Sequence, residues 1–411
     1  MNELITIGEV CNVFDGPHAT PKKTKTGPVY LGIDAVTNDG RLNPQEYAHL
    51  SEEDYKIWTR RVTPQKDDIV FSYEATLGRY AMIPDGFYGC LGRRLAIVRA
   101  KDSRVNPRWL YYYFLSPEWS IFIENHTVKG STVNRISVDD FPTYKIPLPG
   151  RKMQNDVVEV LSAIDYKIET NSRICAELES MAKTLYDYWF MQFDFPDENG
   201  RPYRTSGGEM VWNEQLKREI PKGWRVGNLY NIADFFNGIA CQRFRPRENE
   251  DGLPVIKIKE MHDGITKDTE FVTENIPEKN KIFDGDILFS WSATLEVMYW
   301  FGGNGGLNQH IFKVVPKGYF SNEYVYEQLS AYIINFVKMA EARKTTMGHI
   351  TTDHLEQSCI VLPPEEIVRG FTKVVQPLHK KSGQAKQENR ELMKLRDWLL
   401  PMLMNGQARV E

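Results

Sequence analysis

Residues 68–77 read DIVFSYEATL, and residues 286–295 read DILFSWSATL. Seven of these ten positions are identical, and the pairs Val70/Leu288 and Tyr73/Trp291 are close substitutions. Similar pairs surround them: GPVYLGI and LPVIKIK, GCLGRRLAIVRA and GGLNQHIFKVVP, NRISVDDFPTYKIPLP and GHITTDHLEQSCIVLP. The separation between partners changes from pair to pair, which is expected when insertions and deletions lie in loops. A period of about 200 residues is too long for a solenoid, so the sequence predicts two copies of one domain.

Each copy is predicted to have a β-rich part followed by a long helix. Short apolar runs bounded by Gly, Pro, Asn and Asp indicate strands, and a proline-containing segment precedes each helix. The predicted fold class is therefore α+β, with two duplicated, mostly-β domains separated by two long antiparallel helices that form a coiled coil. The predicted boundaries are residues 1–150 for the first β-rich domain, 151–192 for its helix, 193–228 for a connector, 229–363 for the second domain and 364–404 for its helix.

A heptad-like seam supports the coiled coil. In the first helix it runs from Ile164 to Trp189, with spacings that alternate between four and three residues. A helix buried against one domain is the alternative, but the predicted helix is long and has few other apolar residues. We interpret Asn171 and Asn389 as matching polar positions that fix the register, and we expect Pro377 and Gly383 to kink or restart the second helix. The predicted seam residues are Ile164, Ile168, Asn171, Leu178 and Leu185 in the first helix and Leu378, Asn389, Leu392 and Leu399 in the second.

The composition is that of an ordinary soluble globular protein, with 41% hydrophobic and 26% charged residues among 411. The start of the chain, MNELITIGEV, lacks the features of a signal peptide, and no apolar run approaches the roughly 18 residues that span a bilayer, so no membrane association is expected. Five scattered cysteines without a CxxC pair indicate free thiols in a reducing cytoplasm. Because the formal net charge is −4, DNA binding would have to come from local basic clusters.

The sequence contains no pattern typical of a catalytic centre. No GxxxxGK[ST], GxGxxG after a strand, GxSxG or HExxH string occurs, and the histidines and cysteines have no spacing that suits a metal. Asp67 and Asp68 resemble a carboxylate pair, but neighbours in a strand point to opposite faces, and the second copy has Gly285 at the first position. We therefore interpret this pair as part of a turn and predict no catalytic residue, no metal site and no bound cofactor.

Positively charged, amide and hydroxyl residues recur in the loops of both copies. Lys and Arg neutralise phosphates, while Arg, Asn, Gln and Ser hydrogen-bond to base edges. A solvated surface is the simpler interpretation of any single loop, but equivalent loops of both copies are involved, which favours contact with double-stranded DNA. The predicted DNA-binding residues are Lys22, Lys23, Lys25, Arg79, Arg93, Arg94, Lys129, Ser131, Thr132, Asn134 and Arg135 in the first copy, and Gln242, Arg243, Arg245, Arg247, Asn308, Gln309, His310, Arg343, Lys344, Thr345 and His349 in the second.

The whole chain resembles the specificity (S) subunit of type I restriction–modification enzymes. The resemblance is carried by DIVFSYEATLGR and DILFSWSATL, by GLNQHIFKV, by KTTMGHITTDHLEQSCIVLPP with its upstream twin, and by the connector WFMQFDFPDENGRPY…GGEMVW…IPKGW. It implies two target-recognition domains that each read one half of a bipartite, asymmetric DNA site. It further implies that the two helices separate the domains as a ruler and bind two modification (M) subunits.

The same resemblance implies that the chain itself is not an enzyme. S-adenosylmethionine, ATP and Mg would be bound by the M and restriction (R) subunits. Two other readings of the sequence stay open at this point. The chain could be a stand-alone DNA-binding adaptor without a methyltransferase partner, or an enzyme whose composite active site leaves no recognisable motif.

Overall fold

The structure is a computed structural model that describes residues 3–129, 133–248, 250–292, 294–342, 350 and 352–408. The chain divides into two compact units. The first unit comprises Met1–Tyr166 and Leu392–Glu411, and the second comprises Lys167–Glu391. The division falls inside both long helices, so each unit contains one β-rich domain and a segment of each helix.

The first β-rich domain precedes the first long helix. Its elements are β1 (Glu3–Thr6), α1 (Ile7–Val10), β2 (Cys11–Asp15), β3 (Thr24–Leu31), β4 (Ala48–His49), α2 (Glu52–Trp58), β5 (Ile69–Ser72), β6 (Tyr80–Met82), β7 (Gly89–Leu91), β8 (Leu95–Ala100), α3 (Pro107–Phe114), α4 (Pro117–His126) and β9 (Lys145–Leu148), followed by α5 (Arg151–Tyr186). The strands form an antiparallel sheet in the order β2-β8-β5-β6, a sheet in the order β4-β3-β7 and the pair β1-β9.

The second domain begins after a connector that contains its own hairpin. The elements are β10 (Met210–Asn213), β11 (Arg218–Pro221), β12 (Arg225–Gly227), β13 (Ala233–Asn237), β14 (Gly252–Ile256), α6 (Ile258–Asp263), β15 (Phe271–Thr273), β16 (Lys281–Ile282), β17 (Ile287–Ser290), β18 (Glu296–Tyr299), β19 (Gly305–Leu307), β20 (Ile311–Pro316), α7 (Asn322–Ala342), α8 (Thr352–Glu356), β21 (Ile360–Leu362) and α9 (Glu365–Met404). Short 3₁₀ turns lie at Ile33–Ala35, Pro44–Glu46, Phe141–Thr143, Leu229–Asn231, Cys241–Phe244 and Glu278–Asn280.

The two domains have the same topology. The sheet β13-β20-β17-β18 repeats the order β2-β8-β5-β6, the sheet β15-β14-β19-β16 corresponds to β4-β3-β7 with one added strand, and β12-β21 corresponds to β1-β9. The parallel pair β3–β7 also recurs as β14–β19. The predicted α+β duplication is thus confirmed.

The repeated phrase builds one strand and the loop that follows it. Asp68 and Asp286 each accept a hydrogen bond from the backbone N–H three residues earlier, at 2.7 and 2.8 Å. The hydroxyls of Ser72 and Ser290 donate to the backbone carbonyls of Thr76 and Thr294, four residues further on. The phrase recurs because its polar side chains hold the same backbone in both copies.

Asp67 lies in the turn before β5, as its pattern indicated. Its φ is 67°, and Gly285, its counterpart before β17, has a φ of 94°. The left-handed region is accessible to glycine without strain and tolerated by aspartate. Asp68, by contrast, is buried and forms two hydrogen bonds of 2.7 Å with Arg99. The two carboxylates therefore have separate structural roles.

Both long helices are present. α5 has 36 residues and ends in a π-helical turn, Asp187–Met191, and α9 has 40 residues. The expected restart of the second helix at Pro377 and Gly383 is wrong, since α9 runs through both residues without a break. Gly383 lies under the Phe301 ring, where a Cβ atom would come within 2.4 Å of Cζ. Tertiary packing therefore outweighs the low helix propensity of this segment.

Within the second unit the two helices run antiparallel with polar contacts along their seam. Asn171 donates to Glu388 at 2.7 Å, and Asn389 donates to the Ile168 carbonyl at 3.1 Å. The two asparagines are not equivalent positions of the duplication, as we had interpreted them. At the offset of 214 residues that aligns the preceding strands, Asn389 corresponds to Cys175. They lie close because the helices are antiparallel.

The predicted seam residues are all buried or partly buried. Ile168, Asn171 and Asn389 are buried, whereas Ile164, Leu178, Leu185, Leu378, Leu392 and Leu399 are partly buried. In the first unit, Leu161 and Leu400 belong to the aromatic core around Trp109 and Trp119. In the second, Ala182 and Phe371 join the core around Phe289 and Phe336. The helices are therefore part of each domain's core as well as partners of each other.

Candidate nucleic-acid interface

Four segments of the first unit meet at one end of the main sheet. The Gly16 N–H donates to the Leu95 carbonyl at 3.0 Å, and the Tyr73 N–H donates to the Arg94 carbonyl at 3.1 Å. The Ile136 N–H then donates to the Tyr73 carbonyl at 2.8 Å. These bonds join segments 15–18, 73–76, 92–95 and 134–136, which we call the first loop junction.

The second unit has a junction with the same backbone connections. The Gly238 N–H donates to Ile311 at 3.1 Å, the Trp291 N–H to His310 at 3.3 Å, and the Ile350 N–H to Trp291 at 3.0 Å. We call segments 237–240, 291–292, 308–311 and residue 350 the second loop junction. The duplicated sequence therefore fixes one backbone arrangement twice.

A glycine permits this close approach in each copy. At Gly16 a Cβ atom would lie 2.5 Å from the Leu95 carbonyl oxygen, and at Gly238 it would lie 2.0 Å from the Asn308 oxygen. Both distances are impossible for a real side chain. Gly16 of FDG and Gly238 of FNG are therefore required where the loop after β2 passes the start of β8, and where the loop after β13 passes the residues before β20.

The side chains at the first loop junction carry both signs of charge. The Asp15 carboxylate pairs with the His18 ring at 2.8 Å, and Glu74 faces the Arg94 guanidinium at 3.6 Å. Tyr73 lies in the same junction and is 6% exposed. Burial raises the pKa of the Tyr73 hydroxyl, and the negative charge of Asp15 raises it further. This hydroxyl therefore stays a neutral hydrogen-bond donor at physiological pH.

The second loop junction has amide, indole and imidazole groups at the equivalent positions. The Trp291 Nε1–H donates to the Asn237 side-chain oxygen at 3.2 Å, and the His310 ring centre is 5.6 Å from the Trp291 ring centre. Asn280 donates to the Asn237 backbone carbonyl at 2.8 Å. Ser292 stands where the first copy has Glu74. The two junctions share a scaffold and differ in chemistry.

Most of the described candidate cations lie in the junction segments or within a few residues of them in the sequence. The following are exposed and have no ion pair with a described residue: Lys22, Lys23, Lys25, Arg93, Lys129, Arg135, Arg243 and Arg245. Arg247 is exposed near Glu250, whose pKa is lowered chiefly by a hydrogen bond from the Arg247 backbone N–H. Asn134 and Gln242 are exposed, and Gln309 is half-buried with its amide 3.3 Å from the His310 ring.

Three candidates have structural partners. Arg79 donates to Asn38 at 2.8 Å and to the Val36 carbonyl at 3.2 Å, so its guanidinium is partly used within the domain. Asn308 is 6% exposed and its side-chain oxygen accepts the His310 N–H at 3.2 Å, which shapes the loop. Arg94 is paired with Glu74, as described above. Ser131, Thr132, Arg343, Lys344, Thr345 and His349 lie outside the described residues.

The acidic and aromatic members of the junctions were not predicted from the sequence. Asp15, Glu74, Tyr73 and Trp291 carry neither the positive charge nor the amide group that marks a DNA-binding candidate in a sequence. A signal was available inside the repeated phrase: DIVFSYEATL and DILFSWSATL differ in type at the Tyr/Trp and Glu/Ser positions, which both lie at the junctions. Variation on a fixed backbone is what a recognition surface requires.

The described residues include no group of three or more His, Cys, Asp and Glu side chains arranged to hold a metal ion. None of the described helices is long and apolar enough to cross a membrane. Four described cysteines are buried and the fifth is partly buried, and none forms a disulfide. Burial raises the pKa of the Cys11 and Cys90 thiols to about 12, which leaves them unreactive.

Comparison with known proteins assigns the family. The type I restriction modification DNA specificity domain matches residues 2–180 and 221–390, that is, both copies. The chain belongs to this family. The MjaIX specificity subunit of Methanocaldococcus jannaschii is 27% identical over 88% of this chain and 82% of its own length, and the HindI specificity subunit of Haemophilus influenzae is 23% identical over 84% and 87%. The S subunit from M. genitalium has the same fold, with a TM-score of 0.55 at 17% identity, covering 98% of this chain and 95% of its own.

Membership of this family settles the class of protein. A type I restriction–modification specificity subunit recognises DNA sequence and does not itself catalyse a reaction. This confirms the prediction of a non-catalytic subunit, which rested on the lack of catalytic motifs in either copy and on the resemblance to specificity subunits. It also gives a reason for the scaffold, since two loop junctions on one framework suit a protein whose task is recognition.

Proposed function

We propose that this specificity subunit reads a bipartite, asymmetric DNA site, one half with each loop junction and its neighbouring loops. The observation that carries the proposal is the pairing of an identical backbone network with different side chains at the two junctions. Because hydrogen-bond patterns of side chains select bases, two chemically different surfaces on the same scaffold select different half-sites. The exposed cations around the junctions supply phosphate contacts, which fix position without selecting sequence.

We further propose that α5 and α9 set the distance between the half-sites. A continuous helix of 36 residues is about 54 Å long and is stiffer than a loop of the same length. Domains attached to such a helix pair would bind half-sites at a single spacing, as dimeric helix-turn-helix proteins do. The seam contacts of Asn171 with Glu388 and of Cys175 with Ser382 support a fixed register of the two helices.

Two methyltransferase (M) subunits are the proposed partners, and restriction (R) subunits would join the same complex. Five large apolar side chains are exposed along the long helices, and we propose that the M subunits cover them. The exposed ones are Tyr166, Met181, Val374, Leu395 and Trp398. S-adenosylmethionine, ATP and Mg would then be bound by these partners. Co-expression followed by native mass measurement would test the stoichiometry, with two M subunits per chain expected and none expected for a stand-alone adaptor.

Selection of DNA from a random duplex pool tests the reading of the site. The full-length chain with its M subunits should enrich two short, unrelated half-sites at one constant gap. Enrichment of a single continuous site, of no site, or of half-sites at many gaps would contradict the proposal. Methyl transfer by the chain alone would instead favour the alternative of an enzyme with a composite site.

The gap itself can be lengthened by design. Since α5 and α9 are paired, one extra heptad is needed in each helix, between Arg173 and Ile174 and between Ala385 and Lys386, so that the seam stays in phase. Seven residues add about 10 Å, which corresponds to about three base pairs at roughly 3.4 Å each. The expected result is the same two half-sites at the longer gap. An insertion in α5 alone is the control, which should weaken binding because it puts the seam out of register.

A further inference from the structure

The backbone of Arg94 is in a conformation that few non-glycine residues adopt. Its φ is 71°, and its carbonyl accepts the Tyr73 N–H at the centre of the first loop junction. The left-handed region costs an ordinary L-residue roughly 1 kcal/mol or more, and such strain occurs preferentially at functional sites. His310, at the equivalent position of the second copy, is not in this region. The strain therefore belongs to this residue and is not required by the shared backbone network.

The Arg94 guanidinium is only partly satisfied within the chain. Its buried Nε atom lies 3.6 Å from Glu74 Oε1, which is beyond hydrogen-bond distance, and has no hydrogen-bond partner among the described residues. Arg79 and Arg99, on the same domain, both have close hydrogen-bond partners at 2.8 Å or less. The exposed third of the side chain therefore belongs to the Nη end of the guanidinium, which has no hydrogen bond to a described residue and can donate to an acceptor from outside the chain.

The surroundings of Arg94 do not suit a phosphate. Glu74 is adjacent, and Asp15 lies in the same junction with one buried carboxylate oxygen unpaired among the described residues. Two carboxylates repel a phosphate, which the free cations of the neighbouring loops can bind instead. At 33% exposure, Arg94 is also more restrained than those cations, which favours a directional contact.

An arginine beside a glutamate complements a G·C base pair. In the major groove guanine presents two acceptors, N7 and O6, to which arginine donates in a bidentate arrangement, and cytosine presents an N4 amino donor to a carboxylate. We propose that Arg94 and Glu74 read one G·C pair in the half-site of the first unit. The second unit has His310 and Ser292 at these positions and would not read a G·C pair in this way. This inference rests on the proposed function and assigns a base pair to one half of the site.

Replacing Arg94 with Gly separates a reading role from a structural one. Glycine adopts a φ of 71° without strain, so Arg94→Gly should preserve or raise the melting temperature. In selection from a random pool by the full chain with its M subunits, this variant should lose preference at one G·C position of one half-site. A bidentate arginine contributes roughly 1–3 kcal/mol of discrimination, so the expected loss is about 5- to 150-fold at that position. The other half-site should be unchanged.

Glu74→Gln and Arg94→Lys give a second measurement that does not depend on the glycine variant. Glu74→Gln keeps a hydrogen-bonding group of the same size and should relax discrimination at the same base pair. Arg94→Lys should lose most of it, since lysine cannot donate in the bidentate geometry. Arg93→Ala is the control: Arg93 is exposed with no ion pair to a described residue, so its loss should weaken all sequences equally and lower the salt slope by about 1.

Three results would overturn the assignment. A uniform loss of affinity in Arg94→Gly with a lower salt slope and unchanged preference would make Arg94 a phosphate contact. Unchanged affinity and preference, or a lower melting temperature as the sole effect, would make it structural. A wild-type chain that enriches no half-site would instead refute the proposed function itself, and is recognised before any variant is made.

Discussion

The two loop junctions are the same backbone with different chemistry. The first has Asp15, Tyr73, Glu74 and Arg94, all charged or phenolic, whereas the second has Asn237, Trp291, Ser292 and His310. The hydrogen bonds between backbone groups are nevertheless equivalent. Duplication has thus kept the residues that shape the loops, such as Ser72 and Ser290, and changed the other side chains at the junctions. Recognition in such a protein can diverge without any change of fold.

A kept position with changed side chains is also seen where each domain contacts the long helices. Tyr112 of α3 donates to Asp165 at 2.6 Å, and Glu327 of α7 lies 3.2 Å from His379. Tyr112 and Glu327 occupy equivalent positions, because each is the sixth residue after the N-cap of its helix. Asp165 and His379 are themselves equivalent at an offset of 214 residues. A neutral donor to a carboxylate in one copy is replaced by a glutamate–histidine pair in the other. Both copies therefore have a side-chain contact at this position, but we expect the two contacts to respond differently to pH.

The largest expected difference between the copies concerns the first aspartate of the repeated phrase. Asp68 is 2% exposed and bound by two nitrogens of Arg99, whereas Asp286 is 23% exposed and bound by the Lys313 ammonium at 2.7 Å. Asp68→Ala should lower the free energy of unfolding around β5 by roughly 3 kcal/mol, because it removes both carboxylate bonds of a partly buried guanidinium and leaves it only the Thr63 carbonyl. Asp286→Ala should cost about 1–2 kcal/mol, since a single ammonium contact is lost and the Lys313 ammonium keeps its hydrogen bond to the Lys281 carbonyl.

Hydrogen exchange resolved by segment measures both effects in the full chain, by the opening free energies of β5 and β17. Asp67→Gly is the control, because Asp67 is exposed and its left-handed backbone suits glycine. It should leave the protection of β5 unchanged or raise it. Equal losses in the Asp68 and Asp286 variants would show that the two ion pairs are energetically equivalent after all.

A smaller effect is expected from the arginines that follow the second junction. Replacement of Arg243, Arg245 and Arg247 by Ala should weaken DNA binding, and any change of base preference should fall in one half-site. Each arginine that contacts a base contributes roughly 1–3 kcal/mol of discrimination. The measurement is site selection together with the salt dependence of binding. No change in affinity, salt slope or preference would identify this loop as ordinary solvated surface.

The lysines that follow the first junction should behave differently. Lys22 and Lys23 precede β3 and Lys25 lies at its start; all three are exposed without ion pairs to described residues, and lysine binds phosphate as a point charge. Their joint replacement by Ala should lower the salt slope by up to about 3 and leave the preferred sequence unchanged. A shift in the selected half-site would mean that these lysines contact bases, and would weaken the distinction between the two loops.

Much of the fold could be predicted from the sequence, because duplication repeats local signals. The phrase around Asp68 and Asp286 fixed two strands and their turns, and the alternating spacing from Ile164 to Trp189 fixed a helical seam. The restart expected at Pro377 was wrong because a helix buried along one side is held by its contacts, which local propensity does not include. The equivalence of Asn171 and Asn389 was wrong because antiparallel packing can bring together residues that the duplication does not match.

The junctions were harder to predict. Their members are distant in the chain: residues 15, 73, 94 and 136 meet through backbone hydrogen bonds that leave no local pattern. Arg94 was proposed for its charge, whereas its left-handed backbone and unpaired Nε are visible only in three dimensions. Glu74 was not proposed, because a search for DNA-binding residues favours cations. A carboxylate becomes a candidate only when it stands next to an arginine at a point where loops converge.

The smallest expected effect is a pH dependence confined to the second unit. Burial raises the pKa of Glu327 above its ordinary value of 4.5, against the opposing effect of His379, and Lys183 and Asp187 also act on it. A raised pKa means that the folded state favours the protonated form. This contribution is therefore fully present below pH 4.5 and is lost as the pH rises through the raised pKa.

Glu327→Gln keeps a neutral partner for His379, so its stability relative to the wild-type chain should increase with pH across that window. Hydrogen exchange of α7 at several pH values measures the difference, and Glu274→Gln, an exposed position of the same unit, should show none. A constant difference between the Glu327→Gln and wild-type chains at every pH would mean that Glu327 does not change its protonation there, and that the two domain–helix contacts differ in composition but not in their response to pH.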